Sequence, residues 1–245
     1  MTRQPHAVLD LPSRRHKALK IERLLGLQPR ETPILLLEIG TGAGGIAHYF
    51  GTHPTLPCKV TAVDVHDNRQ VRDGYVYVPV QGVALPFADA SFDVVISNHV
   101  IEHVGDDAAQ QAHLREIRRV LKTDGMAYLA VPNRWMLTEP HYRLIFLSWL
   151  PRSWRTPYLR WSGKGRLYDC EPLQLEQLER MLAAAGFAYR NMCIEGWRET
   201  FAIERPDHWS HRLLRRVPDA MLRPLLPIIP TLIYRLQLQQ AAPPP

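Results

Sequence analysis

Residues 34–45, Ile34-Leu35-Leu36-Leu37-Glu38-Ile39-Gly40-Thr41-Gly42-Ala43-Gly44-Gly45, constrain the fold more than any other stretch of the chain. A nearly unbroken apolar run suits a parallel strand buried on both faces. Glycines follow where the backbone must turn sharply from strand to helix and a ligand must lie against it without a Cβ in the way. Gly40, Gly42 and Gly45 fit the spacing GxGxxG; Gly40, Gly42 and Gly44 fit ExGxGxG. The spacing alone leaves both patterns open.

Downstream residues continue a β/α alternation. Lys59–Asp64, Tyr75–Val80, Asp93–Ser97 and Met126–Val131 read as strands. Asp106–Lys122 reads as a helix with Leu114, Ile117, Val120 and Leu121 on its apolar face, and Gly125 as the stop. Leu173–Ala185 predicts another helix closed by Gly186, Phe187–Ile194 a sixth strand, and Thr231–Leu238 a seventh, antiparallel, at the sheet edge. Strands alternating with helices predict a doubly wound α/β sheet.

The charge of Glu38 discriminates between ligands. In a dinucleotide site the loop faces a pyrophosphate, which a neighbouring carboxylate repels. S-adenosylmethionine (SAM) instead carries a sulfonium and an ammonium, which the same carboxylate attracts. Asp64, ending the second strand, suits either ligand through the two ribose hydroxyls. The alternatives are therefore an NAD(P)-dependent oxidoreductase on the same loop and a non-catalytic SAM-binding protein. Glu38 weighs against the first.

With the downstream motifs included, the chain resembles the class I SAM-dependent methyltransferases, in particular the type 11 methyltransferase domain. The resemblance is carried in order by LLLEIGTGAGGIAHYF (35–50), VTAVDVHD (60–67), ALPFADASFDVVISNHVIEHV (84–104) and LREIRRVLKTDGMAYLAVPN (114–133). It implies a Rossmann-like, mostly parallel seven-stranded sheet with an antiparallel last strand, here with helical insertions, and SAM at the carboxyl ends of the strands. By position, Glu38, Gly40, Thr41, Gly42 and Gly44 would line the methionine and ribose end, with Asp64 and Val65 at the ribose and His66 at the adenine edge. The aspartate that usually stands before LPF is replaced here by Gln81-Gly82-Val83-Ala84; a Gln81 carbonyl can accept the same hydrogen bond. Asn98 and His99 would face the reacting methyl.

Methyl transfer from a sulfonium requires alignment and exclusion of water, and a hydroxyl acceptor also requires a base. His99, His103, His141 and Tyr142 are the candidates. His99-Val100-Ile101-Glu102-His103 also spells HxxEH, a metallopeptidase pattern, but it directly follows a strand rather than lying within a long helix. No metal is expected from it.

Composition divides the rest. Residues 1–30 carry seven Lys/Arg against Asp10 and Glu22; Ser13–Leu27 within them reads as an amphipathic basic helix. Residues 31–131 carry seven bases against twelve acids, and 132–166 seven bases against Glu139 alone. The chain is thus read as a basic helical extension (1–30) and a methyltransferase domain (31–245). That domain carries an aromatic and basic insertion at 132–170 and a basic, apolar segment at 205–230. The insertion interleaves Trp135, Trp149, Trp154 and Trp161 with Arg134, Arg143, Arg152 and Arg155, a combination able to stack on rings and clamp anions. The expected acceptor is a small-molecule, glycan or lipid-linked compound bearing an acidic group. Val217–Ile229, preceded by Arg212, Arg215 and Arg216, suits contact with an anionic membrane surface. No nucleic-acid-binding module is visible. No run of about 20 apolar residues exists to span a bilayer. Three widely spaced cysteines indicate a reducing compartment, so the expected location is the cytoplasm or the inner face of a membrane.

Overall fold

The computed structural model describes residues 10–139 and 142–239. Seven strands form one sheet: β1 (Ile34–Ile39), β2 (Cys58–Asp64), β3 (Tyr75–Pro79), β4 (Phe92–Asn98), β5 (Leu121–Pro132), β6 (Phe187–Asn191) and β7 (Thr231–Leu238). Their spatial order is β3-β2-β1-β4-β5-β7-β6. Strands β1 to β5 pair in parallel, and β7 runs antiparallel to both β5 and β6. The last strand is therefore antiparallel as expected, but it lies one place inside the edge, which β6 occupies. Leu232, Ile233, Tyr234 and Leu236 are all buried, so β7 is covered on both faces rather than half-solvated.

Adjacent residues of β1 serve opposite layers. Leu37 joins α3 (Asp107–Val120) and α5 (Leu175–Ala184) on one face of the sheet. Leu36 joins α1 (Leu11–Leu25) and α2 (Gly45–Gly51) on the other. Helix α1 starts with a proline in its first turn and ends where Gly26 takes a left-handed conformation, φ 63°. Its Ala18, Ile21, Leu24 and Leu25 are buried against the sheet's second layer.

Several expected boundaries move, and β5 starts at Leu121 rather than Met126, so Gly125 lies within the strand. The helix predicted to reach Lys122 stops at Val120, because Leu121 already pairs with Phe92 and Lys122 Nζ reaches Asp93 at 2.9 Å. The strand predicted to reach Ile194 stops at Asn191, whose side-chain oxygen accepts the Cys193 amide at 3.0 Å and starts α6 (Cys193–Glu204). Tight packing holds α6 down: a Cβ on Gly196 would stand 2.6 Å from Ile233 Cδ1.

The insertion after β5 holds a two-residue hairpin (Thr138–Glu139 with Leu144–Ile145), α4 (Arg152–Trp161) and a small core of Leu144, Leu147, Leu159, Tyr168 and Cys170. After α6 come α7 (Trp209–Arg216), α8 (Asp219–Leu222) and a 3₁₀ segment, Arg223–Ile228. Asn133 joins the two additions at the carboxyl edge of the sheet: its side-chain nitrogen donates to Pro227 O at 2.8 Å and its amide to Pro230 O at 3.0 Å. Among the described residues no helix is long and apolar enough to cross a membrane.

Candidate active site

The parallel register brings the ends of β1, β2 and β4 together, at the strand edge where open α/β sheets bind ligands. Glu38 pairs across with Ala62 and Ile96, so the buried carboxylate stands centrally beneath the loop. Gly40, Gly42 and Gly44 all have positive φ (74°, 54° and 85°), a region costly for other residues. Space is equally restrictive. A Cβ on Gly40 would lie 2.5 Å from Val100 Cγ2, and one on Gly44 would overlap the Tyr75 hydroxyl and the Val71 carbonyl.

Asp64 fixes the loop from the side: one carboxylate oxygen accepts the Gly42 amide at 2.8 Å, the other the His66 amide at 3.3 Å. Thr41 donates its hydroxyl to Glu38 at 2.8 Å, so it braces the acid beneath the loop. Val65 and His66 are exposed beyond β2. Gln81 and Gly82 follow β3 at the same edge, where Val80 N bonds Asp64 O at 3.1 Å; both are exposed, and Gly82 has φ 69°.

Burial raises the Glu38 carboxyl from 4.5 to about 7, against the opposing Thr41 hydrogen bond and the nearby Arg14 guanidinium. The acid is thus only partly ionised at neutral pH without a ligand, and a cation placed over it would favour the charged form. Arg14 comes from α1, and its Cβ would meet a side chain at Gly45. One and two helical turns on, Lys17 and Lys20 share its face; Lys20 Nζ donates to Thr200 on α6 at 3.2 Å. Burial, with Arg14 and Lys20 nearby, lowers Lys17 to about 8. The basic helix therefore turns these cations toward the site and α6, a role its i, i+3, i+6 spacing encoded but its composition did not reveal.

Asn98 and His99 stand at the end of β4. The Asn98 side-chain nitrogen is buried with no hydrogen-bond partner. His99 has φ 59° and is held by its amide on Ala130 O at 2.9 Å. The HxxEH stretch is not an α-helix; only Ile101–His103 form a 3₁₀ turn. Glu102 is fully buried between the two histidines, 3.3 Å from His99 Nδ1 and 3.9 Å from His103 Nε2. Although burial alone would raise it, the His99 bond and both imidazoles hold this carboxyl below its usual value. Both histidines keep about a fifth of their side-chain surface exposed, enough to reach a ligand.

The remaining candidates fall elsewhere. Tyr142 belongs to the insertion's small core and donates its hydroxyl to Leu167 O at 3.2 Å. His141 lies outside the described residues. Arg155, expected to clamp an acceptor, is buried, donates to Leu150 O at 2.9 Å and lies 3.7 Å from Glu171; Arg152 meets the same Glu171 at 2.6 Å. Both arginines are thus engaged by Glu171, and for the buried Arg155 an unpaired charge would be costly.

A glycine loop over a buried acid, a carboxylate ending β2 and a 3214576 sheet define a Rossmann-like nucleotide-binding α/β domain. Residues 37–129 match the family model of the methyltransferase domain, and over this region the chain is similar to SAM-dependent methyltransferases. A probable SAM-dependent methyltransferase of Mycobacterium tuberculosis is 37% identical over 113 residues, covering 44% of this chain and 39% of that protein. The ubiquinone/menaquinone biosynthesis C-methyltransferase UbiE of Xanthomonas oryzae is 33% identical over 129 residues, 49% of this chain and 48% of that one. The chain thus spans less than half the length of these curated relatives. A Haemonchus contortus phosphoethanolamine N-methyltransferase, solved with phosphomonomethylethanolamine and S-adenosylhomocysteine, shares the fold (TM-score 0.54, 18% identity, 91% of this chain and 52% of that chain).

SAM-dependent methyltransferases are among the proteins this chain is similar to, and the residues present fit SAM. The Glu38 carboxylate suits its positive charge, the glycine cradle leaves room for a close approach, and the unpartnered Asn98 amide offers a hydrogen bond. Asp64 would hold the ribose, with Gln81 and Gly82 beside the base.

Proposed function

We propose that this protein transfers a methyl group from SAM to an oxygen of a small-molecule, glycan or lipid-linked acceptor carrying an acidic or phosphorylated group. The observation that carries the reading is the pairing, at one strand edge, of a buried acid under the glycine loop with a histidine–carboxylate couple at the end of β4. When bound, SAM supplies the activated carbon. The chain's own residues hold it, exclude water and take up the acceptor's proton. His99 is the base: its Nδ1 faces Glu102, which favours the imidazolium that forms.

The acceptor's apolar part is assigned to a groove beside α4 and its anionic part to the basic face of α7. Trp154 and Trp161 of α4 are 67% and 85% exposed beside a groove of about 430 Å³ lined by Ile145, Phe146, Leu150 and Tyr158. Trp209 and Leu213 of α7 are also exposed, one turn apart, among Arg212, Arg215 and Arg216. Such a surface suits peripheral contact with anionic lipid, from which a lipid-linked acceptor would enter. On this reading the methyltransferase domain covers residues 31–245, with residues 132–170 and 205–230 serving the acceptor.

The test is a screen of cell extract for the molecule that receives a labelled methyl group from SAM, with S-adenosylhomocysteine release measured in parallel. An acidic oxygen acceptor is the expected result. A protein that binds SAM but releases no S-adenosylhomocysteine with any fraction is not a transferase, and one that binds NADH in preference to SAM belongs to the oxidoreductase class. Co-sedimentation with phosphatidylglycerol vesicles, lost in Trp209→Ser, tests the lipid surface separately.

A further inference from the structure

Beside the His99–Glu102 couple, a second group of side chains converges that methyl transfer leaves unused. His103 ends the 3₁₀ turn after β4 and Asp169 and Cys170 close the insertion, yet one ligand atom from each lies within 4.8 Å of the others. Cys170 Sγ stands 3.8 Å from His103 Nδ1 and 3.9 Å from Asp169 Oδ1. A zinc ion with metal–sulfur distances of about 2.3 Å and metal–nitrogen or metal–oxygen distances of about 2.0–2.1 Å, at tetrahedral angles, needs sulfur edges of about 3.6 Å. The two sulfur edges are a few tenths of an ångström longer than this, and the His103–Asp169 edge lies within 4.8 Å.

The surroundings favour a cation. The loop that carries Asp169 and Cys170 is pinned to the 3₁₀ turn that carries His103. Glu171 N donates to Glu102 O at 2.9 Å, and the Gln110 side chain bridges Ile101 O and Glu171 O at 3.3 Å each. The His103 ring spans a thiol on one nitrogen and the buried Glu102 carboxylate on the other, the arrangement in which a carboxylate orients a metal-ligating histidine. Cys170 is buried, so its sulfur faces the cluster rather than solvent.

We propose that His103, Asp169 and Cys170 form a binding site for a zinc-class divalent transition metal, with its fourth position left to water or a ligand. The donor set decides the class of ion. A thiolate and an imidazole select zinc over magnesium or calcium, which prefer all-oxygen shells. Three protein donors with an open position resemble a reactive site more than a closed structural one. The sequence gives no hint of this site, since His103 and Cys170 stand 67 residues apart. The proposal does not depend on the nature of the methyl acceptor.

The test uses the full, untagged chain, stripped of metal under reducing conditions and titrated with cobalt(II), then zinc(II). Saturable cobalt binding with a near-ultraviolet thiolate-to-cobalt charge-transfer band, displaced by zinc, is the expected result. The band should vanish in Cys170→Ser and persist in Cys58→Ser and Cys193→Ser. Asp169→Asn should weaken zinc about 10- to 100-fold or more, the scale on which even an outer-shell change acts. Absence of the band, its persistence in Cys170→Ser, or unchanged zinc affinity in Asp169→Asn would overturn the assignment. SAM binding by each variant reports that the domain is folded; should Cys170→Ser fail that check, the Asp169→Asn titration decides alone.

Discussion

Replacing Glu38 by Gln retains the side chain's shape and an acceptor for the Thr41 hydroxyl, and removes a charge that the fold buries. In the ligand-free protein this carboxyl titrates at about 7 instead of 4.5, with burial as the leading cause. The folded state therefore holds the proton more tightly than the unfolded chain. Between pH 4.5 and 7 the unfolded chain binds fewer protons, so stability falls as pH rises. At 1.36 kcal/mol per pH unit, the gap corresponds to about 3 kcal/mol, present in full below pH 4.5 and lost above pH 7. Glu38→Gln has no such loss. For a chain of this size, 1 kcal/mol moves the melting point by about 2–4 °C. The unliganded variant should thus melt roughly 6–12 °C above the parent at pH 8 and level with it near pH 5. SAM should reverse the order: the variant lacks the charge that meets the cofactor and should bind it about 10- to 100-fold more weakly at pH 8. Thermal melts from pH 5 to 8, with and without SAM, and calorimetric titration read both effects. His113, fully buried and lowered to about 4, destabilises both proteins equally as pH falls from 6.5, so the difference between them isolates Glu38. A melting difference that does not change with pH, or equal SAM affinity in the two proteins, would refute the reasoning.

Asp64→Ala should weaken SAM by about 1.5–3 kcal/mol, since it removes both the ribose partner and the restraint on the Gly42 amide, and calorimetry should find the melting point little changed. With the acceptor in hand, His99→Ala should lower kcat by about 10²- to 10⁴-fold and leave SAM affinity nearly intact; an unchanged kcat would remove His99 from the role of base. Gly44→Ala places a side chain at φ 85° against the Val71 carbonyl and should cost more than the roughly 1–2 kcal/mol of left-handed strain alone. A denaturation midpoint equal to the parent's would show that the loop yields.

Local patterning carried most of the frame. The apolar run of β1, the glycines after it and the acids Glu38 and Asp64 are adjacent or nearly adjacent in sequence, and their spacing acts through the backbone itself. That is why strand, turn, helix start and cofactor edge could all be read from residues 34–64. The strand Thr231–Leu238 was legible too, through its alternation, but its place inside the sheet was not: only the fold sets β6 beside it and buries its residues in the cores on both faces.

Charged side chains were the least legible, because the same residue serves solvent, a partner or a site according to what the fold sets against it. Composition gave Arg14, Lys17 and Lys20 as part of a basic helix, and packing on α2 and α6 turned them inward. Arg152 and Arg155 read as anion clamps until Glu171 met them. The sequence by itself determined the sheet, the glycine loop and the acid beneath it, since these depend on neighbours along the chain. The tertiary structure alone decided that His103 meets Cys170, because that contact joins residues 67 positions apart that only folding brings together.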